Sequence, residues 1–457
     1  MQPFLTHNHA FPGSSHNVLS LQDSVTEYYL LGLPFSIMRI YSNFDEHRNS
    51  IKGYTMNSHN TSHQLPQNSE ATMRLVSFST LFVIGTDTLL TAPLLPLLSK
   101  EFNTSTEQSG WFVSAYALGY AVFALIAGPL SDRIDRRRII LTGSIGFTLF
   151  TGLCGLAWGF WSLFTARFLA GVFASLISPQ IWASIPMTVP KQAIIKTMGY
   201  ATAGLAIAQI AGIPVGSFLS TYGWQIPFFA IAAASLLLLG ILYSRFPSIP
   251  PVAAAQDGNF LTPYLHVLKA PSLLLSLLAY LIFQTGVFAS LSFIGSWFAR
   301  DFGASQTTIG FAMLVIGCGN ALGSLIGSRF VAYIGMQKTM LMGLIALSIV
   351  YLSVSLTANF WTALGIFALA LFLGGIMLPI LMGELQSHTA TARGTVSSLS
   401  NTAMYAGTTI SGAVGGTLLT QFPGYSGIAV MSACAIAISL GVYALGGAFR
   451  PKNGESF

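Results

Sequence analysis

From residue 74 to residue 448 the chain is a succession of apolar runs of roughly twenty residues, the length an α-helix needs to cross the hydrocarbon core of a bilayer. Twelve such runs can be read, at 74–98, 108–130, 138–157, 160–187, 197–220, 224–245, 272–297, 305–328, 339–357, 360–383, 395–420 and 424–448. Each is continuous instead of alternating with a period of two, which points to helices and away from a transmembrane β-barrel. A mean hydropathy of +0.66, with 53% hydrophobic and only 7% charged residues, excludes a soluble globular protein. The expected fold class is an all-α polytopic membrane protein of twelve transmembrane helices.

The few charges fix an orientation. If the N-terminus starts inside, the inner loops and the C-terminal tail carry thirteen lysines and arginines, against Lys100 and Arg300 on the outer side. Basic short loops stay on the cytoplasmic side, so both termini are expected in the cytoplasm of a multi-pass cell-membrane protein. This placement accounts for the net charge of +6 without a nucleic-acid or acidic partner. The densest block is GPLSDRIDRRR at 128–138, wedged between the second and third runs.

The domain organisation follows from the spacing of the runs. Residues 1–72 are polar, hold six of the eight histidines and show no sustained periodicity, so a disordered cytoplasmic tail is expected there. The stretch 28–41 inside it is too short to span and is interrupted by Gly32 and Pro34. A first six-helix bundle at 73–245, a linker at 246–271, a second bundle at 272–448 and a C-tail at 449–457 complete the chain. The two bundles echo each other: IDRRRIILTG at 134–143 falls over IGMQKTMLMG at 334–343, and Ala203, Gly204 and Gly212 fall over Ala406, Gly407 and Gly415. Such duplication is how many secondary transporters are built, with the substrate site at the bilayer midplane between the halves.

Enzyme chemistry has no footing in the residues. There is no nucleotide-binding G-x-x-x-x-G-K-[ST] loop and no His/Cys/acid cluster with metal spacing, so neither a metal nor a cofactor is expected. Cys154, Cys318 and Cys434 all fall within spans, where free thiols act as small apolar residues. The polar groups inside the spans are more informative, because a charge at that depth costs several kcal/mol unless it meets a partner or a cavity. Asp87 lies midway along the first span and Arg167 about six residues into the fourth, at depths that make an interaction feasible. Low dielectric stabilises the neutral carboxyl and a nearby guanidinium the charged one, an opposition suited to a proton carrier. A structural interhelical hydrogen bond is the alternative role for either residue. Gln284 on the seventh span is a further candidate for the cavity, although interhelical hydrogen bonding is the commoner explanation for it, as for Gln209, Asn320 and Asn401. Glu384 is placed at the cytoplasmic edge of the tenth span, within reach of water. In the fifth span, Gly204, Gly212 and Gly216 share a small face and Pro214 permits a bend, as a gating helix requires.

These motifs resemble those of the major facilitator superfamily of transporters. The block at 128–138 matches the family's loop between its second and third helices at Gly128, Leu130, Ser131, Asp132, Arg133, Arg136 and Arg137, with Asp135 in place of the second glycine. LFTARFLAGV at 163–172 resembles the fourth-helix motif at Arg167 and Gly171. Gly204, Gly212, Pro214 and Gly216 resemble the fifth-helix motif of antiporters, with Ser217 for its last glycine. Asp87 followed by Pro93 and Pro96 is similar to the first helix of the twelve-span drug–proton antiporters. The resemblance implies two pseudo-symmetric six-helix halves, a cavity lined by the first, fourth, seventh and tenth spans, and a loop cluster that locks the outward-facing state. The expected activity is proton-coupled efflux of small apolar or amphipathic compounds by a monomer, with Tyr116, Tyr120, Phe283, Met377 and Tyr405 near the cavity. Two alternatives stay open: a facilitator or importer of a sugar, nucleoside or other metabolite, and a non-transporting sensor with the same fold.

Overall fold

The computed structural model describes residues 67–250, 264, 270–388 and 393–449, all of it helix and connecting loop. Twelve long helical units cross the bundle, numbered here as spans: span 1 Gln67–Glu101, span 2 Trp111–Arg133, span 3 Arg136–Cys154, span 4 Phe160–Ser175 with Ser178–Thr188, span 5 Lys191–Ile207 continuing to Leu219, and span 6 Ile226–Arg245. The second set is span 7 Pro271–Ser292 with Ile294–Phe302, span 8 Gln306–Ile334, span 9 Met336–Val354, span 10 Phe360–Ser387, span 11 Arg393–Gln421 and span 12 Ser426–Leu445. Ten of these are long and apolar enough to cross a membrane by composition alone. The other two fall short for local reasons. Span 3 opens on Arg136, Arg137 and Arg138, and span 11 is rich in Ser, Thr, Gly and Asn where it packs between its neighbours.

The internal echo of the sequence is an echo of structure. Span 1 packs on span 5, span 2 on span 4, and span 3 on spans 4 and 6; span 7 packs on span 11, span 8 on span 10, and span 9 on spans 10 and 12. Spans 3 and 9 are both 19 residues long, and spans 4 and 10 open on the same Phe-Trp pair at 160 and 360. Gly204 lies against the Phe78 carbonyl of span 1, and its counterpart Gly407 lies 3.0 Å from the Leu281 carbonyl of span 7, measured from where a Cβ would stand.

Several boundaries differ from those read in the sequence. Span 1 reaches back to Gln67, into the stretch assigned to the tail, and an Arg74–Glu70 ion pair of 2.6 Å one turn apart supports that extension. The rest of the tail lies outside the described residues. Span 10 continues to Ser387, so Glu384 is 5% exposed within it and not at a watery edge; His388 Nε2 lies 3.3 Å from its carboxylate. The linker is described at 246–250, where Phe246 and Ile249 are buried, at Tyr264 and at Ala270.

The two halves meet along two seams, spans 2 and 11 on one side and spans 5 and 8 on the other. At the end of the bundle away from the 128–138 loop, contacts between the halves close the structure, among them Gly110 against the Gly412 carbonyl of span 11. The Thr420 hydroxyl donates to the Glu107 carboxylate, Gly295 at the break in span 7 sits against Pro93 of span 1, and Gly310 of span 8 sits against Ser217 and Pro214 of span 5. Hydrogen bonds from Ser105 and Thr420 hold the Glu107 carboxyl below its usual range. Trp158, Trp161, Trp361 and Tyr222 are strongly exposed at that end and Tyr243 and Tyr333 at the loop end, the positions of interfacial anchors.

Candidate functional site

Asp87 of span 1 and Arg167 of span 4 meet beside a close crossing of spans 2 and 4. Spans 2 and 4 approach until Gly171 touches the Tyr116 carbonyl and Gly119 touches the Phe168 carbonyl, spaces no Cβ could occupy. That approach lays Arg167 across Tyr116 of span 2, with the guanidinium carbon 4.4 Å from the ring centroid. From there Arg167 Nη1 donates to Asp87 Oδ2 at 2.9 Å and Nη2 to the Asp87 carbonyl at 3.4 Å. Both side chains are fully buried. The Tyr116 hydroxyl lies 3.2 Å from that of Thr88, which donates to the Ile84 carbonyl.

The pair is incomplete. Asp87 Oδ1 and Arg167 Nε are buried without a hydrogen-bond partner in this structure. A buried carboxylate with one oxygen tied to a guanidinium and the other free has an acceptor position left for a proton or a ligand donor. An unpaired polar atom at that depth costs about 1–3 kcal/mol.

Beside the pair, three tyrosines join the halves. Tyr120 of span 2 stacks on Tyr405 of span 11 at 3.7 Å between centroids, and Tyr116 lies 6.4 Å from Tyr405. All three are buried. The Ser114 hydroxyl donates to the Thr409 carbonyl at 2.8 Å and Ser398 to the Ala124 carbonyl at 3.1 Å, extending this seam toward both ends. Tyr116, Tyr120 and Tyr405 thus form one cluster next to Asp87. Phe283 and Met377 are buried in spans 7 and 10, and Met377 packs against Gly343 of span 9. Gln284 is buried in span 7, and its amide donates to the Tyr280 hydroxyl of the same span at 3.2 Å, which is a bond within its own helix and not part of the Asp87 cluster.

The loop motif is built more tightly than its sequence suggests. Only Ile134 and Asp135 separate spans 2 and 3; of Gly128 and Asp132 the helical backbone alone is described, so the proposed lock at Asp132 lies outside the described side chains. Arg133 is exposed, Arg136 is buried with Nη1 3.4 Å from Gln180 Oε1 of span 4, and Arg137 Nη2 donates to the Tyr243 carbonyl of span 6 at 2.6 Å. Asp135, where the family has glycine, caps span 3 by accepting from the Arg137 N–H at 2.8 Å and also receives the Ser248 hydroxyl and the Ile249 N–H. Burial pushes its carboxyl up, but these bonds from Ser248, Arg137 and Ile249, with Arg138 N–H, outweigh it and hold the group below its usual range.

The glycines of the fifth-span motif face span 1. Gly204, Gly212 and Gly216 meet Phe78, Thr86 and Leu90 in constant parallel register, so the motif packs within its own half against the helix that carries Asp87. Pro214 and Ser217 take the other face and touch Gly310 of span 8. Between these contacts, Ala208–Gly212 forms a π turn in which the Ile213 N–H reaches back to the Ala208 carbonyl. Pro214 supplies the cause: with no N–H of its own it cannot complete the α-helical ladder there.

The profile of the Major Facilitator Superfamily matches residues 77–412 and 276–455. An uncharacterised MFS-type transporter of Bacillus subtilis, YceJ, is 46% identical over 366 residues, covering 80% of this chain and 94% of that protein. Multidrug resistance protein 1 of the same organism is 28% identical over 244 residues, 53% of this chain and 62% of that one. The solved structure of a D-xylose–proton symporter shares the fold with a TM-score of 0.70 at 17% identity, covering 85% of this chain and 99% of that one. With this profile, this relative and twelve helices in two repeated sets of six, the chain belongs to the Major Facilitator Superfamily and is a membrane transporter, not an enzyme.

Proposed function

We propose that this transporter exports small apolar or amphipathic compounds in exchange for protons, by alternating access, with Asp87 as the proton-carrying group. The observation that carries the reading is the buried Asp87–Arg167 pair with one carboxylate oxygen unpartnered. A charged Asp87 holds Arg167 by the ion pair; a neutral Asp87 gives up that attraction, while Arg167 keeps the Tyr116 face on which it already lies. The guanidinium thus has a partner in either protonation state of Asp87. The tyrosines between the halves present an aromatic surface next to the carboxyl, suited to apolar or cationic ligands. Likeness to multidrug resistance protein 1 supports export of such compounds. In this reading the end bearing the basic loop faces the cytoplasm, and Gln284 braces span 7 through its bond to Tyr280 instead of lining the Asp87 site.

The test is Asp87→Asn in proteoliposomes. The substitution keeps size and one carbonyl oxygen but cannot titrate, so uphill accumulation of a lipophilic dye driven by a pH gradient should fall to the passive level. Exchange down a substrate gradient should survive for a neutral compound and weaken for a cationic one. Gradient-driven accumulation at the wild-type rate would reject Asp87 as the carrier.

A further inference from the structure

The seam between spans 5 and 8 contains a polar clasp that the roles above do not use. Asn320 Nδ2 of span 8 donates to Gln209 Oε1 of span 5 at 2.6 Å, a side-chain hydrogen bond between the two halves. Gln209 lies in the π turn Ala208–Gly212, so the irregular turn and the inter-half bond are one feature. Both partners are braced from behind. Gly317, one turn from Asn320, stands so close to the Gln209 backbone that a Cβ would lie 3.0 Å from its carbonyl oxygen. Gly375 of span 10 packs against the Asn320 carbonyl. On the other side of span 5, Gly85 of span 1 is in contact with Ala208 and Gly212 with Thr86, the residue before Asp87.

The contacts along this seam run from Ser217–Gly310 at the closed end to Gln209–Asn320. Past Asn320 the glycines of span 8 turn to their own half: Gly323 meets Phe372 and Gly327 meets Ile376 of span 10. The clasp is therefore the last tie of the closed end, at the point where spans 5 and 8 part company. A hydrogen bond at that point is present when the halves are closed at this end and must break when they open there.

We propose that Gln209 and Asn320 are positioning residues for the transport cycle: their amide clasp, held out by the π turn, stabilises the conformation closed at the end away from the basic loop. A π turn suits the task because it holds one carbonyl ladder slightly out of α-helical register, and two registers of nearly equal energy give a helix two discrete states. The clasp depends on alternation between two conformations, which the family does, and not on protons or on any particular substrate.

The experiment uses the full chain in lipid nanodiscs with spin labels at Thr221 and Thr307, exposed positions at the closed-end tips of spans 5 and 8. Pulsed electron–electron resonance reads the ratio of long to short distances. Gln209→Ala and Asn320→Ala are each expected to raise that ratio about threefold to tenfold, the range for one interhelical hydrogen bond within a membrane. The exchanged pair, Gln209→Asn with Asn320→Gln, keeps two amides of the same combined length and should return the ratio to within about twofold of the original. Since the alanines stand on different spans, either one that remains monodisperse suffices. An unchanged ratio in the alanine variants, or an exchanged pair as open as either alanine, overturns the proposal. Neither substrate nor pH gradient is present, so failure of Asp87 as proton carrier would leave this outcome unaffected.

Discussion

Replacing Arg167 with methionine should be strongly destabilising, and its cost should depend on Asp87. The guanidinium stands 2.9 Å from the Asp87 carboxylate with both side chains fully buried. Removing one member of such a pair leaves a charge in low dielectric and costs about 3–5 kcal/mol; loss of the Tyr116 stacking falls within that figure. Asp87→Asn keeps an amide oxygen that accepts from Arg167 but strands a guanidinium that cannot neutralise, so its cost is of the same order. The double variant Asp87→Asn, Arg167→Met leaves no charge to strand and should cost less than Arg167→Met alone. The resulting coupling energy is about 2 kcal/mol or more, the size expected of residues in one network. Equilibrium unfolding in dodecyl maltoside micelles titrated with SDS, followed by tryptophan fluorescence, gives all four corners of the cycle. Costs that add to within about 0.5 kcal/mol would show that the two residues do not depend on each other, and the site built on them would fall.

Two further predictions concern the basic end and the topology. Asp135→Ala should destabilise by about 1 kcal/mol through loss of the span 3 cap, equally at pH 6 and pH 8, as read by the same titration. Because the folded carboxyl sits below its ordinary value of 3.8, the cap's contribution is complete above that value and is lost only as pH falls through the depressed one; a loss between pH 5 and 8 would contradict the assignment. Single cysteines on a background lacking Cys154, Cys318 and Cys434 should react with an impermeant maleimide outside intact cells at Ser105 and Thr357 but not at Ile134, and external labelling of Ile134 would reverse the proposed orientation.

The legible part of this molecule is the part written in composition and spacing. Run lengths set the spans, the offset of 134–143 from 334–343 is realised as spans 3 and 9 beginning at Arg136 and Met336, and Asp87 and Arg167 stand out because charge is scarce at their depth. What the sequence could not show is which face of each helix finds which neighbour. The glycines at 204, 212 and 216 were readable as a small face, but that it grips span 1 while Pro214 and Ser217 turn to span 8 depends on tertiary placement. Glu384 does stand in the last turn of span 10, but it is buried there instead of reaching water, because hydropathy marks where polar residues begin and not which of them packing covers. The π turn had one available signal, Pro214 inside a glycine-rich span, yet its partner Asn320 lies in the other half with no sequence mark to join them. Asp135 looked like a loss of the family's turn glycine; it replaces conformational freedom with a cap and ties the turn to Ser248 of the linker.

The packing also explains why one helix can serve both halves of a cycle. Span 1 is gripped in constant register by span 5 through residues that leave no room to slide: a Cβ at Gly204 or Gly212 would enter Phe78 or Thr86. Span 4 grips span 2 in the same way through Gly171 and Gly119. Spans 1 and 5 and spans 2 and 4 are thus two close-packed pairs, joined by the Asp87–Arg167 ion pair, so a change at Asp87 bears on both. Span 2 carries the tyrosine stack toward span 11 and span 5 the amide clasp toward span 8. Each of these two contacts is modest, about 0.5–1.5 kcal/mol for a stacked ring pair and about as much for an interhelical hydrogen bond, although at the closed end the halves also meet through glycines, Gly110 against the Gly412 carbonyl and Gly416 against Glu107. Under the proposed proton exchange, a change in the charge of one carboxyl has only a few kcal/mol with which to shift the balance between two states, so the ties it must break have to be individually small.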